Sequence, residues 1–132
     1  MIRLPYVLET KVPFIDSEHE TLLNHLEYLR STELAWTARQ LRLVGAHFAG
    51  HFGAEELVAA QAGFPELAAM REDHRRFAVR FRVVAKAWDR NPKTMDGLGR
   101  LVDELEEYIA AHAFRLDGTF ATWLLHRSPV AR

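Results

Sequence analysis

The sequence predicts an all-α protein: an antiparallel up-down-up-down four-helix bundle with an irregular N-terminal arm and a short C-terminal helix or tail. Apolar residues recur every three or four positions through most of the chain, and no stretch alternates apolar and polar residues as a strand does. Turn-forming residues divide this pattern into four segments of about 15 to 30 residues with short connections. The 132 residues contain no low-complexity linker, so we expect residues 1–132 to form a single domain.

The first two segments lie between an irregular arm and a glycine. The first helix is expected to begin near Asp16, a favourable N-cap residue, with Glu18 in its first turn. Residues 30–32 form a plausible turn and cap before the second helix, which is expected to end at Gly63. Their two periodic stripes comprise His19, Leu22, Leu23, Leu26 and Leu29, followed by Leu34, Leu41, Val44, Phe48, His51, Glu55 and Val58.

The third and fourth segments follow Pro65. The third carries a seven-residue apolar repeat and ends at the breaker sequence 89–92, where Pro92 suits the first turn of the fourth helix. The fourth helix is expected to end near Asp117 and Gly118, and a tail from Thr119 to form a short helix over one end of the bundle. Their stripes comprise Leu67, Met70, His74, Phe77, Phe81, Val84 and Trp88, followed by Leu101, Leu105, Tyr108 and His112.

Composition excludes several classes of protein. With 17 basic and 18 acidic residues the net charge is −1, so the chain lacks the basic excess of a dedicated nucleic-acid binder. Because there is no cysteine, disulfides, thiolate zinc sites and cysteine nucleophiles are excluded. No apolar run approaches the roughly 20 residues of a membrane helix, and the N-terminus lacks the shape of a signal peptide. We therefore expect a cytoplasmic protein with no membrane partner.

Polar residues interrupt the apolar stripes of all four helices: His19, His51, Glu55, His74 and His112 occupy positions typical of leucine. A single such histidine fits a neutral core imidazole with a hydrogen-bonded ring nitrogen. A buried ionised carboxylate, however, costs several kcal/mol unless it is paired or binds a metal. One metal site shared by all four helices satisfies the whole set at once.

The spacing of these residues supports a metal site. His51 and Glu55 are four residues apart, so they lie on one face of a helix, about 6 Å apart along its axis. His112 and Asp117 are five apart, which suits a site if Asp117 sits at the fraying end of its helix with Gly118 as a cap. Nitrogen and oxygen ligands without sulfur suit iron, manganese or zinc.

Five short motifs follow one another in a specific order. They occupy residues 15–22, 51–56, 64–65, 74–77 and 112–117. In order and spacing they resemble the motifs of the hemerythrin family, and of its bacterial single-domain branch in particular. The resemblance spans roughly residues 10 to 120.

This resemblance implies a non-haem, carboxylate-bridged pair of iron ions that reversibly binds dioxygen or another small diatomic ligand. Because reversible binding turns over no substrate, it also implies that the protein is not an enzyme. Carried over position by position, the implied roles are His19 and His51 on one iron, His74 and His112 on the other, and Glu55 and Asp117 as bridges.

Two positions depart from the family pattern. Met70 stands four residues before His74, where the family has a further histidine ligand. It either fills core volume or leaves a weak thioether donor or an open position beside the metal. His47 stands one turn before His51, where the family more often has tyrosine. It is expected to line the pocket, or to act as a substitute donor.

These departures leave two alternatives open. The first is a variant redox enzyme that acts on peroxide or nitric oxide through the position vacated at Met70. The second is a degenerate bundle with partial metal occupancy that serves as an interaction module. The sequence indicates no particular protein partner. It does indicate solvated roles for Glu56, for His25 and for the charged run 71–82, which could alternatively form a docking surface.

Overall fold

The computed structural model describes residues 10–90 and 93–127, with the backbone alone at residues 112 and 113. It confirms the all-α four-helix bundle. The helices are α1 (Pro13–Leu29), α2 (Thr37–Ala62), α3 (Leu67–Arg90), α4 (Met95–Tyr108) and α5 (Arg115–His126). A 3₁₀ turn at Leu34–Trp36 precedes α2, and a π-helical turn at Ile109–Ala113 joins α4 to α5. Within the described ranges, no helix is long and apolar enough to cross a membrane.

Helix α1 begins at Pro13, earlier than the predicted start at Asp16. The carboxylate of Asp16 accepts hydrogen bonds from the backbone N–H and the hydroxyl of Thr10, both at 2.8 Å. Asp16 therefore holds Thr10 against the first turn instead of capping the helix from outside. Proline is favourable at the first helical position because its missing N–H has no intrahelical partner there.

The other helix ends show where local sequence decides the boundary. Helix α2 ends at Gly63 as predicted, and its φ of 77° lies in the left-handed region that favours glycine. The predicted cap within residues 30–32 is wrong, since the 3₁₀ turn leads into α2 and Trp36 is the N-cap. Thr94 caps α4 by accepting a hydrogen bond from the Gly97 N–H at 2.9 Å. Pro92 lies outside the described residues.

The fourth helix of the bundle is interrupted rather than terminated. In the π-helical turn the Phe114 N–H donates to the Ile109 carbonyl at 2.9 Å, one residue further back than in an α-helix. An uninterrupted α-helix would place Leu105 and Asp117 about 120° apart, whereas one residue absorbed in the turn reduces this to about 20°. Asp117, in the first turn of α5, therefore lies on the same side of the helix as the buried Leu105. The prediction that Asp117 and Gly118 end the fourth helix is wrong.

The core consists of two separate groups of buried apolar residues. The large apolar cluster includes Leu22, Leu26, Phe48, Phe52, Phe77, Phe81, Leu98, Leu105 and Phe114, with contributions from α1 through α4 and the residue before α5. The small apolar cluster comprises Ile15, Ala59, Phe64, Met70, Leu116, Phe120 and Ala121. The space between these two clusters is where the polar stripe residues lie.

Candidate metal centre

Four buried polar residues form a layer between the two apolar clusters. We call them the polar layer: His19 of α1, Glu55 of α2, His74 of α3 and Asp117 of α5. Along the chain, each of these four residues lies between an apolar residue of the large cluster and one of the small cluster, each three or four positions away. None of the four residues is more than 6% exposed. The layer is therefore sealed by apolar side chains above and below.

The two carboxylates of the polar layer lie between its two imidazoles. Nε2 of His19 lies 2.7 Å from Oδ2 of Asp117 and 3.9 Å from Oε2 of Glu55. Nε2 of His74 lies 3.1 Å from Oε1 of Glu55 and 3.5 Å from Oδ1 of Asp117. Each carboxylate thus directs one oxygen toward each histidine. His19, Glu55 and Asp117 each offer a ligand atom within 4.8 Å of the other two.

Several nitrogen and oxygen atoms of the layer have no hydrogen-bond partner. They are Nδ1 of His19, Oε1 of Glu55, Nε2 of His74 and Oδ1 of Asp117. Nε2 of His74 and Oε1 of Glu55 approach to 3.1 Å without hydrogen-bond geometry. A buried polar atom left unsatisfied costs about 1–3 kcal/mol. Three of these atoms converge, since Nε2 of His74 lies 3.1 Å from Oε1 of Glu55 and 3.5 Å from Oδ1 of Asp117. A cation among these three atoms satisfies them together, so the residues fit a metal site of the imidazole and carboxylate type.

The ionisable groups of the layer compete strongly for protons. Burial raises the pKa of Glu55, and the neighbouring Asp117 raises it further. Burial also opposes ionisation of Asp117, but contacts with Glu55, His19 and His74 outweigh it and hold the pKa of that carboxyl below its usual range. Burial by itself would lower the pKa of His74, yet Asp117 and Glu55 raise it to about 10. A cation placed among these groups relieves the repulsion between the carboxylates.

Similarity to known proteins agrees with this geometry. Residues 10–124 match the family model described as the hemerythrin HHE cation binding domain. The chain belongs to the hemerythrin family. It is also 31% identical over 121 residues to a bacteriohemerythrin of Ralstonia nicotianae, an alignment that covers 89% of this chain and 84% of that protein. The family model describes a cation binding domain, and His19, Glu55 and Asp117 of the polar layer are the buried group of possible ligands in the described residues that fits one.

An aromatic ring packs on each histidine of the layer, and a carboxylate outside the layer also holds His74. Nδ1 of His74 lies 2.7 Å from Oε2 of Glu56, and the imidazole stacks on Phe52 with ring centroids 4.0 Å apart. His19 stacks on Phe114 with ring centroids 3.7 Å apart. A carboxylate on the second ring nitrogen fixes which nitrogen of a ligand histidine faces the metal and makes that nitrogen more basic.

Of the other predicted ligands, His51 lies on α2 one turn before Glu55 and is half-buried. Its Nδ1 is paired with the Glu18 carboxylate of α1, and the described residues show no ion pair between His51 and a carboxylate of the layer. Its place as a metal ligand therefore stays a prediction. Burial lowers the pKa of His51, which favours the neutral imidazole that a metal binds. The side chain of His112 lies outside the described residues, so its role stays a prediction.

Met70 and His47 take different environments from each other. Met70 is fully buried and packs in the small apolar cluster. This position agrees with the interpretation that Met70 fills core volume. His47 is exposed and stacks on the half-buried His25 of α1, with ring centroids 4.3 Å apart. The expectation that His47 lines the pocket is therefore not met. Two turns of α2 separate it from Glu55, and that spacing rotates it about 80° away from the layer.

Three residues that support the site were missed in the sequence. Glu56 was predicted to be solvated, but it binds His74, and Glu18 binds His51. Asp73 was assigned to the solvated face of α3, but it is buried and accepts hydrogen bonds from Arg115 at 3.1 and 3.3 Å. This last pair ties the first turn of α5, which carries Asp117, to α3. Only the packing of one helix against another reveals these contacts.

Proposed function

We propose that this protein holds two iron ions in the polar layer and reversibly binds dioxygen. In this proposal His19 and His51 would hold one ion, His74 and His112 would hold the other, and Glu55 and Asp117 would bridge them. The observation that carries it is that Glu55 and Asp117 each place one oxygen near His19 and the other near His74, at 2.7 to 3.9 Å. Bound iron supplies the electrons and the open coordination position that dioxygen requires.

The residues around the layer suit binding rather than turnover. Phe52 and Phe114 cover the two imidazoles, and the apolar clusters exclude bulk water from both sides. Exclusion of water protects a bound diatomic ligand from protonation and release as a reduced product. Glu56 and Glu18 hold the ligand histidines in one orientation, so little reorganisation accompanies binding. We therefore propose a dioxygen-binding protein and not an enzyme.

The proposal is tested by metal analysis and absorption spectroscopy of freshly purified protein. We expect about two irons per chain and charge-transfer bands that appear under air and disappear on deoxygenation, over repeated cycles. The deciding variant is Glu55→Ala, which removes one bridge and should abolish binding of the second iron. Glu107→Ala, at an exposed position of α4, is the matched control. Retention of two irons in Glu55→Ala would refute the bridging role.

One observation favours a second candidate, a redox activity on peroxide or nitric oxide. Met70 lies in the small apolar cluster, so α3 contributes a single imidazole, His74, to the described part of the layer. Fewer protein ligands leave more positions open, and open positions favour reaction over simple binding. The same spectra discriminate the two candidates, since a reversible carrier returns its ligand whereas an enzyme consumes it.

A further inference from the structure

An apolar groove on the outer surface between α2 and α3 lies beside the polar layer, because Phe52 both lines the groove and stacks on His74. Its volume is about 370 Å³, within the range of roughly 300–1,000 Å³ typical of small-ligand sites. Four aromatic residues form its floor: Phe48, Phe52, Phe77 and Phe81. The groove exists because small residues face each other above these rings. A side chain at Gly45 would place Cβ 3.1 Å from the Phe81 ring, so even alanine there would narrow it.

The rim of this groove is cationic. Arg42 of α2 and Arg82 of α3 both line it, and both are exposed. Neither forms an ion pair within residues 10–90 and 93–127, whereas the neighbouring Arg80 pairs with Glu104 at 2.9 Å. No acidic residue lines the groove.

Ion pairs reduce the charge around the groove mainly to that of its rim. The facing segments 37–54 and 74–88 contain no aspartate or glutamate, although the whole chain has a net charge of −1. Of the basic residues in these segments, Arg75 and Arg76 pair with Glu72, and Arg80 pairs with Glu104. The cationic charge left beside the groove is mainly that of Arg42 and Arg82, which attracts anions to its rim.

We propose that the groove binds an amphipathic monoanion, a carboxylate attached to an alkyl chain or an aromatic ring. The apolar body occupies the aromatic floor, and the carboxylate lies between Arg42 and Arg82. Guanidinium groups suit this role because they donate paired hydrogen bonds to a carboxylate. The proposal does not depend on the dioxygen site of the proposed function, although the two sites share Phe52.

Two other occupants fit the surface less well. A second copy of the chain docked symmetrically would bring the two cationic faces together, and like charges across an interface are costly. An acidic helix of another protein would satisfy the arginines. It would however contact the raised helix surfaces on either side, whereas the groove is a local depression made by small residues such as Gly45 and Ala49.

Isothermal titration calorimetry of the metal-loaded protein tests the proposal with three eight-carbon probes. We expect octanoate to bind at one site, 1-octanol to bind more weakly because it lacks the charge, and octylamine to show no binding. Equal affinity for octanoate and 1-octanol would overturn the role of the arginines. Tighter binding of a polyglutamate peptide than of octanoate would assign the face to an acidic protein and would also overturn the proposal.

Variants locate the site. Arg42→Gln and Arg82→Gln should each weaken octanoate binding roughly two- to fivefold, the effect of losing one partly exposed ion pair. Lys86→Gln, which removes an exposed charge outside the groove, should change it less than twofold. If Lys86→Gln weakens binding as much as Arg82→Gln, the anion is held by general charge and the proposed site is wrong.

A second pair of variants tests the groove itself. Ala49 lines the groove and Ala46 does not, although both are exposed on α2, so either alanine can be enlarged without disturbing the core. We expect Ala49→Leu to abolish octanoate binding and Ala46→Leu to preserve it, with thermal unfolding confirming that both variants fold. Unchanged binding by Ala49→Leu would overturn the proposal. So would a dimer of the unmodified chain that Ala49→Leu dissociates.

Discussion

The large apolar cluster and the polar layer lie side by side in the same bundle, and they follow opposite rules. In the cluster, Phe77 contacts the rings of Phe48, Phe52 and Phe81 at centroid distances of 4.8 to 5.9 Å. Every contact there removes apolar surface from water and stabilises the fold. In the polar layer the side chains are equally buried, yet several of their nitrogen and oxygen atoms lack hydrogen-bond partners.

The difference separates the part of the core that stabilises the fold from the part that is available to bind a ligand. Replacing buried ionic groups with apolar residues of similar volume is often neutral or stabilising. We therefore expect the layer to contribute little to the stability of the metal-free fold, and a bound cation to satisfy the atoms that have no hydrogen-bond partner. Substitutions in the two regions should accordingly affect different quantities.

The largest effect on stability is expected in the large apolar cluster. Phe77→Ala should lower the free energy of unfolding by about 3–5 kcal/mol, because the lost ring leaves a cavity among aromatic neighbours. Chemical denaturation of the metal-free protein measures this. Val79→Ala, at an exposed position of α3, should stay within about 0.5 kcal/mol. The folded fraction of Phe77→Ala should keep its metal content. If fully folded Phe77→Ala loses metal, the large apolar cluster also supports the metal site and the prediction is wrong.

An intermediate effect is expected at Glu56, which touches the polar layer from outside. Glu56→Gln removes the carboxylate on Nδ1 of His74 and should weaken metal binding by about 10- to 100-fold, the usual effect of losing such a support. Competition with a chelator measures the affinity. The free energy of unfolding of the metal-free protein should change little. A Glu56→Gln variant with unchanged affinity would show that Phe52 alone positions the imidazole, and Glu107→Gln is the control.

The smallest effect is expected at Met70. Met70→Leu conserves volume within the small apolar cluster, so the free energy of unfolding should change by less than about 1.5 kcal/mol and the metal content should not change. Met70→His places a possible ligand at the same position. A higher metal content in Met70→His than in Met70→Leu would show that this position limits the site. Equal metal content in the two variants would contradict that reading.

The sequence predicted the fold because its signals are local. Periodic apolar residues mark the four helices, and Gly63 marks one helix end through a backbone angle that glycine adopts readily. His19, Glu55 and His74 were identifiable because each is polar where the pattern demands an apolar residue, and their convergence follows from bundle geometry. Asp117 was identified by its spacing from His112, but the π-helical turn that brings it into the layer was not predicted.

What the sequence could not show depends on contacts between helices. Glu56 and Asp73 look like ordinary surface residues beside a ligand position, and only the packing of α2 and α5 against α3 makes them partners of His74 and Arg115. The start of α1 was misplaced for a related reason, because the Asp16 side chain binds Thr10 instead of capping the helix. The groove between α2 and α3 was also invisible, although the cationic run beside it was not.

The π-helical turn at Ile109–Ala113 rotates the side chains of α5 about the helix axis relative to those of α4. The turn acts as a one-residue insertion, and an insertion rotates everything downstream by about 100° about the helix axis. Asp117 reaches the layer only with that phase shift in place. A change of one residue in length between Ile109 and Phe114 would therefore alter the site while leaving the helix content and apolar composition almost untouched. Chain length in this short stretch constrains the metal centre as strictly as the identity of its ligands.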